Sequence, residues 1–275
     1  MVRPYRSPNH RSFRLGRSRR RALLIHGFPG TPWELRAVGA HLVRLGFEVH
    51  CPLLPGFGPH IESLGERSWH DWEEAVEEAC RLTRQEAEEL LVVGYSMGGA
   101  LAMRLALREE VDRLVLINPF SGLGFPLGIL LPLVAPFLRS YRPFGSADFS
   151  DPWTREVVGR VLPDLDVDDL TWQQRLRNEV KLPVRAIEQV RRLGVAAWRA
   201  APQIDVPALV VQGEADAVVP ASRTRRLADR LGGPVVLREA PAAGHVLIWP
   251  EKPGHSRLIR EIERFTANGA LRRTG

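Results

Sequence analysis

One short segment limits the possible folds of this chain more than any other, a serine enclosed by glycines between a strand and a helix. Gly94–Gly99 reads Gly-Tyr-Ser-Met-Gly-Gly, follows the apolar run Leu90–Val93 and precedes the helical pattern Ala100–Arg108. A serine at so sharp a strand-to-helix turn is held in a strained backbone conformation, and small residues two positions away on either side leave room for the turn. We therefore expect Ser96 to project from the carboxyl end of a strand, with the Met97 N–H at the start of a helix.

The rest of the chain alternates short apolar runs with longer amphipathic stretches. Strands are predicted at Ala22–Ile25, Phe47–Cys51, Leu90–Val93, Leu114–Ile117, Ala208–Val211 and Val235–Leu237. Helices are predicted at Thr31–Leu45, Asp71–Glu89, Ala100–Arg108 and Ser222–Leu231. In the second of these helices, Glu73 and its neighbouring glutamates are expected to face water. This alternation predicts an α/β fold with a mostly parallel, doubly wound sheet that is covered on both faces.

Residues 119–202 break this rhythm and are predicted to form a helical cap, or lid, inserted into a core domain of residues 21–118 and 203–275. The uncharged segment Phe120–Leu138 is long enough to cross a bilayer, but its three prolines (126, 132 and 136) would interrupt a helix. We therefore expect it to cover an apolar pocket, with Leu130 and Leu131 as candidate substrate-binding residues, and we expect no stable membrane insertion.

Candidate cap helices follow at Thr154–Val161, Leu170–Leu176 and Leu182–Leu193.

The formal charge of +6 comes largely from arginines near the N-terminus, and residues 1–20 are predicted to be a basic extension. We interpret this extension as a solvated arm, because no aromatic-interleaved basic surface or nucleic-acid motif follows it, and we expect no nucleic-acid partner. Cys51 and Cys80 stand in unlike contexts and suggest neither a disulfide framework nor a metal-ligand cluster. A reducing cytoplasm is the expected compartment, and no metal site is expected.

A serine hydroxyl needs a base within hydrogen-bond reach to act as a nucleophile. On a sheet with this kind of turn, an acid and then a histidine follow the serine along the chain. His245 comes just after the last predicted strand, and Asp216 lies in the loop at the carboxyl end of Ala208–Val211. His255 and Glu214 are the weaker alternatives. The sequence thus predicts Ser96 as nucleophile, His245 as general base and Asp216 as the acid that orients the histidine.

Two backbone N–H groups are needed to stabilise an oxyanion formed at Ser96. Met97 follows the serine at a helix start and supplies the first candidate. His26–Gly30 follows an early predicted strand, and the N–H of Phe28 is the second candidate. His26 itself is interpreted as a structural residue that fixes this loop by hydrogen bonding, because the sequence shows no partner for a catalytic role.

With these residues in place, the chain resembles the bacterial carboxylesterase and monoacylglycerol-lipase branch of the α/β-hydrolases. The resemblance is carried by motifs spread over the core, namely His26–Pro32, Pro52–Gly58, Asp71-Trp72, Gly94–Gly99, Gly213–Asp216 and Gly244-His245. It implies an α/β-hydrolase fold with a cap after the sixth sheet strand, hydrolysis of carboxylic esters with simple alcohol or glycerol leaving groups, and no cofactor. Phe57 departs from the family, which usually has histidine at that position.

Together these features predict a serine carboxylic-ester hydrolase that acts through an acyl-enzyme on Ser96. The expected partner is a small ester with an apolar acyl group, either a short- to medium-chain acyl ester or a monoacylglycerol. Other chemistry on the same scaffold stays open, such as carbon–carbon bond hydrolysis or thioester hydrolysis. So does a non-catalytic receptor that uses the pocket to bind a ligand.

Overall fold

The computed structural model describes residues 5, 7–124, 127–135, 137–151, 154–155, 158, 162 and 166–267. Its strands are β1 (Phe13–Leu15), β2 (Arg20–Ile25), β3 (Glu48–Cys51), β4 (Glu89–Tyr95), β5 (Arg113–Ile117), β6 (Ser140–Tyr141), β7 (Leu182–Pro183), β8 (Ala208–Gly213) and β9 (Val235–Ala240). Its α-helices are α1 (Arg36–Arg44), α2 (Trp69–Arg84), α3 (Met97–Leu105), α4 (Leu127–Val134), α5 (Leu170–Glu179), α6 (Val184–Ala200), α7 (Ala221–Ala228) and α8 (His255–Ala267).

The central sheet has seven strands in the order β1-β3-β2-β4-β5-β8-β9. Strand β1 pairs antiparallel with β3, and every other neighbouring pair in this sheet is parallel. The short strands β6 and β7 form a separate antiparallel pair. The mostly parallel sheet predicted from the sequence is confirmed, and its centre is the β2-β4-β5 region from which the serine turn emerges.

Both faces of the sheet are buried, as the near-continuous apolar strands predict. Along β4 the side chains alternate, so Leu90 and Val92 join one hydrophobic cluster while Leu91 and Val93 join the other. The first cluster lies under α2, α3 and α6, whose apolar faces complete it. Helices α1 and α8 cover the opposite face. This two-sided packing holds the strand ends, and thus the loops that follow them, at fixed positions.

Helix α2 ends earlier than its sequence pattern suggests. It stops at Arg84, five residues before the predicted end at Glu89, because Glu86 has a φ of +58° and Glu89 already pairs with Arg20 in the sheet. Its first turn is closed by a capping box in which the Ser68 hydroxyl accepts the Asp71 N–H and the Asp71 carboxylate accepts the Ser68 N–H. Strand β4 begins at Glu89, one residue before the predicted apolar run Leu90–Val93.

The expected N-terminal extension is partly built into the fold. Phe13–Leu15 forms edge strand β1, because Phe13 is apolar and packs into the cluster beside Gly39 and Val49. Tyr5 is also buried. The described part of residues 1–20 therefore differs from a fully solvated arm, while residues 1–4 and 6 lie outside the described residues.

Between β5 and β8 the chain leaves the sheet and forms α4, α5, α6 and the β6-β7 pair. Helix α6 packs along α3, and α4 contacts α6, so α6 links α4 to α3, the helix that follows Ser96. Helix α4 has eight residues and contains Pro132, while Pro126, Pro136 and most of the predicted helix Thr154–Val161 lie outside the described residues. Within the described ranges, no helix combines the length and apolar character needed to cross a membrane.

Candidate active site

Ser96 lies at the junction of β4 and α3 in a backbone conformation that few residues adopt. Its φ is +53° and its ψ is −116°, in the left-handed half of backbone space. The turn is so tight that a Cβ on Gly94 would collide with the Gly98 carbonyl oxygen, and a Cβ on Gly98 would collide with the Ile25 carbonyl oxygen. Glycine is therefore required at both positions, which is the physical reason for the spacing seen in the sequence.

The structure brings together the three residues predicted to form a triad. The Ser96 Oγ lies 3.0 Å from the His245 Nε2, and the His245 Nδ1 lies 2.7 Å from the Asp216 Oδ2. Because the carboxylate can only accept, the Nδ1–H of His245 donates to Asp216 and its Nε2 is left to accept the Ser96 hydroxyl. This tautomer is the one that a general base beside a serine needs.

Asp216 is buried and held by several donors. Its Oδ1 accepts the Val218 and Val219 N–H groups, each at 2.8 Å. The side-chain nitrogen of Gln212 lies 3.4 Å from the Asp216 Oδ2. The side-chain oxygen of Gln212 accepts the Thr224 hydroxyl at 2.7 Å. These contacts leave Oδ2 facing His245 and fix the orientation of the carboxylate.

The weaker alternatives to the triad residues lie elsewhere. Glu214 is exposed. His255 begins α8, where its Nδ1–H donates to the Leu247 carbonyl at 3.3 Å and burial lowers its pKa. The Ser96–His245–Asp216 hydrogen bonds involve neither residue.

The two oxyanion candidates come from two separate segments of the chain near Ser96. Met97 is the first residue of α3, where helical N–H groups have no intrahelical acceptor and the helix dipole favours negative charge. Phe28 lies in the loop that follows β2. Within the part of the chain that the structure describes, neither N–H donates a hydrogen bond to another protein group. Both residues therefore stay the predicted oxyanion donors.

His26 fixes the loop that carries Phe28, as the sequence interpretation proposed. Its ring is fully buried, and the Leu54 N–H donates to its Nε2 at 3.2 Å while its Nδ1–H donates to the Gly27 carbonyl at 2.9 Å. Burial lowers the pKa of His26 to about 4, so the ring is neutral near neutral pH. His26 thus joins the β2 loop to the loop after β3, and both of its ring nitrogens are engaged within the protein.

Phe57, where the resemblance leads us to expect a histidine, is part of the hydrophobic core. Its ring is buried and makes edge-to-face contacts with His26, Phe28 and Trp72, at centroid distances of 5.0, 5.9 and 5.5 Å. A phenyl ring provides no hydrogen-bond donor or acceptor for a substrate. In this chain Phe57 instead packs against the side chain of Phe28, whose N–H is an oxyanion candidate.

The two candidate substrate-binding leucines lie on α4. Leu130 is exposed and Leu131 is half-buried, and neither takes part in the hydrogen bonds of the triad. Sequence reasoning missed three buried polar residues beside the triad, namely Tyr95, Asn118 and Gln212. Each stands in or directly after an apolar strand of the sheet, and that position was the available signal. Among the described residues, no cluster of three or more His, Cys, Asp or Glu side chains is arranged to hold a metal ion.

Comparison with known proteins gives relatives in both sequence and fold. The alpha/beta hydrolase family matches residues 22–255. The thermostable monoacylglycerol lipase of Bacillus sp. (strain H-257) is 29% identical over 198 residues, which are 72% of this chain and 71% of that protein. A metagenome-derived lipolytic enzyme of solved structure aligns with a TM-score of 0.73 at 22% identity, over 94% of this chain and 98% of that chain. A soluble variant of monoglyceride lipase from Saccharomyces cerevisiae aligns with a TM-score of 0.70 at 17% identity, over 92% of this chain and 90% of that chain.

A strained serine, a histidine and an acid at the carboxyl ends of a mostly parallel sheet are the arrangement of the α/β-hydrolase class. Since the family match spans most of the chain, this protein belongs to the alpha/beta hydrolase family. The family predicted from the sequence is confirmed. The names of the relatives, lipases among them, agree with the predicted class of enzyme, a hydrolase.

Proposed function

We propose that this protein is a serine carboxylic-ester hydrolase that works through an acyl-enzyme on Ser96. The observation that carries the proposal is the continuous hydrogen-bonded path from acid to nucleophile, 2.7 Å from Asp216 to His245 and 3.0 Å from His245 to Ser96. Such a path lets the histidine take the serine proton while the carboxylate stabilises the imidazolium that forms.

In the proposed reaction, the Ser96 Oγ attacks the ester carbonyl carbon and His245 takes the hydroxyl proton. The negative charge on the carbonyl oxygen is stabilised by the N–H groups of Phe28 and Met97. The C–O bond to the alcohol then breaks, and His245 returns its proton to the leaving oxygen. Water repeats the sequence on the acyl-enzyme with the same base, releasing the acid and restoring Ser96.

For the substrate, we propose short- to medium-chain acyl esters or monoacylglycerols. The similarity to a monoacylglycerol lipase supports this range, as does the apolar character of α4. We assign residues 119–202 as the cap, and Leu130 and Leu131 as residues that contact the acyl chain. In this proposal the sheet supplies the chemistry while the cap selects the acyl group.

The test is hydrolysis of p-nitrophenyl esters from acetate to palmitate and of monoacylglycerols, with wild type and Ser96→Ala, alongside fluorophosphonate labelling. We expect labelling and turnover of the wild type, both lost in the variant, with a maximum at one chain length. Turnover of thioesters or of carbon–carbon bond substrates in place of oxygen esters would instead support thioester hydrolysis or carbon–carbon bond hydrolysis as the function. A folded wild type that neither labels nor turns over any ester, yet binds a ligand reversibly, would support the receptor.

A further inference from the structure

A buried asparagine stands where the three strand ends of the site meet. Asn118 directly follows β5, is completely buried, and has a φ of +44°. Asparagine tolerates this left-handed conformation better than most residues. A polar side chain without any exposure must have its hydrogen-bond needs met within the protein.

The partners of the Asn118 side chain belong to the loops that carry the acid and the histidine. Its Oδ1 accepts the Gly213 N–H at 2.8 Å, at the end of β8 and three residues before Asp216. Its Nδ2 donates to the His245 carbonyl at 2.6 Å and lies 3.4 Å from the Gly244 carbonyl. One planar amide thus sets the distance between the end of β8 and the backbone of His245.

The backbone on both sides of Asn118 is bonded to the nucleophile. The Ser96 N–H donates to the carbonyl of Ile117 at 2.9 Å, and the N–H of Phe120 donates to the Ser96 carbonyl at 3.0 Å. The Asn118 N–H donates to the Val211 carbonyl at 2.9 Å. A displacement of this segment would therefore move Ser96 as well as His245.

A second buried donor meets the same carbonyl. The Tyr95 hydroxyl donates to the His245 carbonyl at 3.1 Å, and its ring lies 5.3 Å from the imidazole, centroid to centroid. Burial raises the pKa of Tyr95, so the hydroxyl keeps its proton and remains a donor. His245 lies in a loop between β9 and α8, outside regular structure, and these two side chains hold its backbone from the strand side.

From this convergence we infer that Asn118 is a positioning residue for the proposed ester hydrolysis, with Tyr95 as its partner on the same carbonyl. Asn118 holds the imidazole of His245 at bonding distance from both Ser96 and Asp216 without touching the substrate. The inference rests on the proposed function, because a positioned histidine matters only if the triad turns over.

The test compares Asn118→Asp and Tyr95→Phe with wild type. Aspartate keeps the acceptor for the Gly213 N–H and tolerates the same φ, but it places a carboxylate oxygen against the His245 carbonyl. Phenylalanine removes only the Tyr95 hydroxyl. Thr83→Val serves as the control, since it removes a buried hydroxyl of α2 that bonds to the Ala79 carbonyl and makes no contact with the triad.

We expect Asn118→Asp to lower kcat per titrated active site by about 10- to 100-fold with KM nearly unchanged, as a displaced catalytic group does. Tyr95→Phe should lower kcat by about 5-fold, the effect of one hydrogen bond. Thr83→Val should lower Tm without changing kcat per active site.

A merely structural Asn118 would give a lower Tm with kcat per active site as in wild type, and that result would overturn the inference. If Asn118→Asp does not fold, Tyr95→Phe decides alone, and wild-type kcat in that variant would contradict the inference. A wild-type protein without ester turnover would overturn the proposed function itself, so the two failures are distinguishable.

Discussion

The strand ends around Ser96 and helix α4 of the proposed cap are built in opposite ways. At the strand ends, Asp216 and Asn118 are buried. Asp216 accepts backbone N–H groups of its own loop, and Asn118 bonds to the backbone of the segments that lead to the acid and the histidine. On α4, Ile129 and Leu133 are 62% and 64% exposed. The first arrangement holds side chains in fixed orientations, whereas the second leaves apolar surface exposed. The contrast places the proposed chemistry in the sheet and the proposed substrate selection in the cap.

The largest expected effect concerns the strand-end side. Asp216→Asn should lower kcat by about 10³- to 10⁴-fold while leaving the fold intact, because asparagine cannot hold the His245 tautomer that accepts the serine proton. Ester hydrolysis measured at saturating substrate tests this. Glu214→Gln, in an exposed residue of the same loop, is the control and should behave as wild type. A small loss of kcat in Asp216→Asn would contradict this expectation, since the buried contacts of Asp216 would then not serve the reaction.

The second expectation concerns the stability of the same region. His26 has a folded-state pKa of about 4, below its ordinary value of 6.5, so the unfolded chain binds its proton first as pH falls. The free energy of unfolding should therefore decrease from pH 7.5 towards pH 4, with about 2 kcal/mol of the loss due to His26 by pH 5.

Urea unfolding of wild type and His26→Gln at pH 7.5 and 5 measures this contribution. The variant should be less stable at pH 7.5 and should lose less stability between the two pH values. His50 has its pKa lowered to about 4, chiefly by burial, and acts in the same direction, so the difference between the two proteins is the relevant quantity. Equal pH dependence in both would show that His26 is not held neutral by the fold.

The third expectation concerns the cap. Leu130→Asp or Leu131→Asp should lower kcat/KM for decanoate esters by about 10-fold and for acetate by less than about 2-fold, because a charge opposes burial of the longer chain only. Leu170→Asp on α5, where the leucine is 76% exposed, is the control. A series of p-nitrophenyl esters provides the measurement, and an equal loss for both chain lengths would remove the two leucines from the substrate site.

The smallest expected effect concerns the N-terminal segment. The Tyr5 hydroxyl donates to the Pro29 carbonyl at 3.1 Å, next to the oxyanion candidate Phe28, and the His10 Nδ1 lies 2.9 Å from the Thr31 Oγ1. Tyr5→Phe should lower kcat by about 2- to 5-fold through a loosened loop. Steady-state kinetics measure the change, with Tyr141→Phe as the exposed control. Unchanged kcat in Tyr5→Phe would mean that the N-terminal segment does not influence the reaction.

The sequence allowed the parts of the site that depend on local geometry to be predicted. Gly94 and Gly98 are required by close approach of backbone atoms, and that requirement appears as a fixed spacing around Ser96. The positions of Asp216 and His245 follow from their places just beyond strands, because parallel strands end at the same edge of the sheet. These features need only the order of elements along the chain.

Contacts between distant segments were beyond such reasoning. Glu73 was expected to face water on α2, but that expectation is wrong. The residue is buried against Arg104 of α3 at 2.9 Å, with Arg108 at 3.1 Å. The burial of Tyr5 and the role of Asn118 as a bridge depend likewise on partners far along the chain. A charged or polar residue shows its character in the sequence but not the partner that permits its burial.

The central claim, an acyl-enzyme on Ser96, is tested most directly by rapid quenching of the protein during turnover of a p-nitrophenyl ester. Intact mass measurement and peptide mapping then locate the acyl group. We predict one acyl group per chain on the peptide that contains Ser96, appearing with the burst of p-nitrophenol and missing from Ser96→Ala. Ester turnover without an adduct in the burst phase, or an adduct on another residue, would contradict the account.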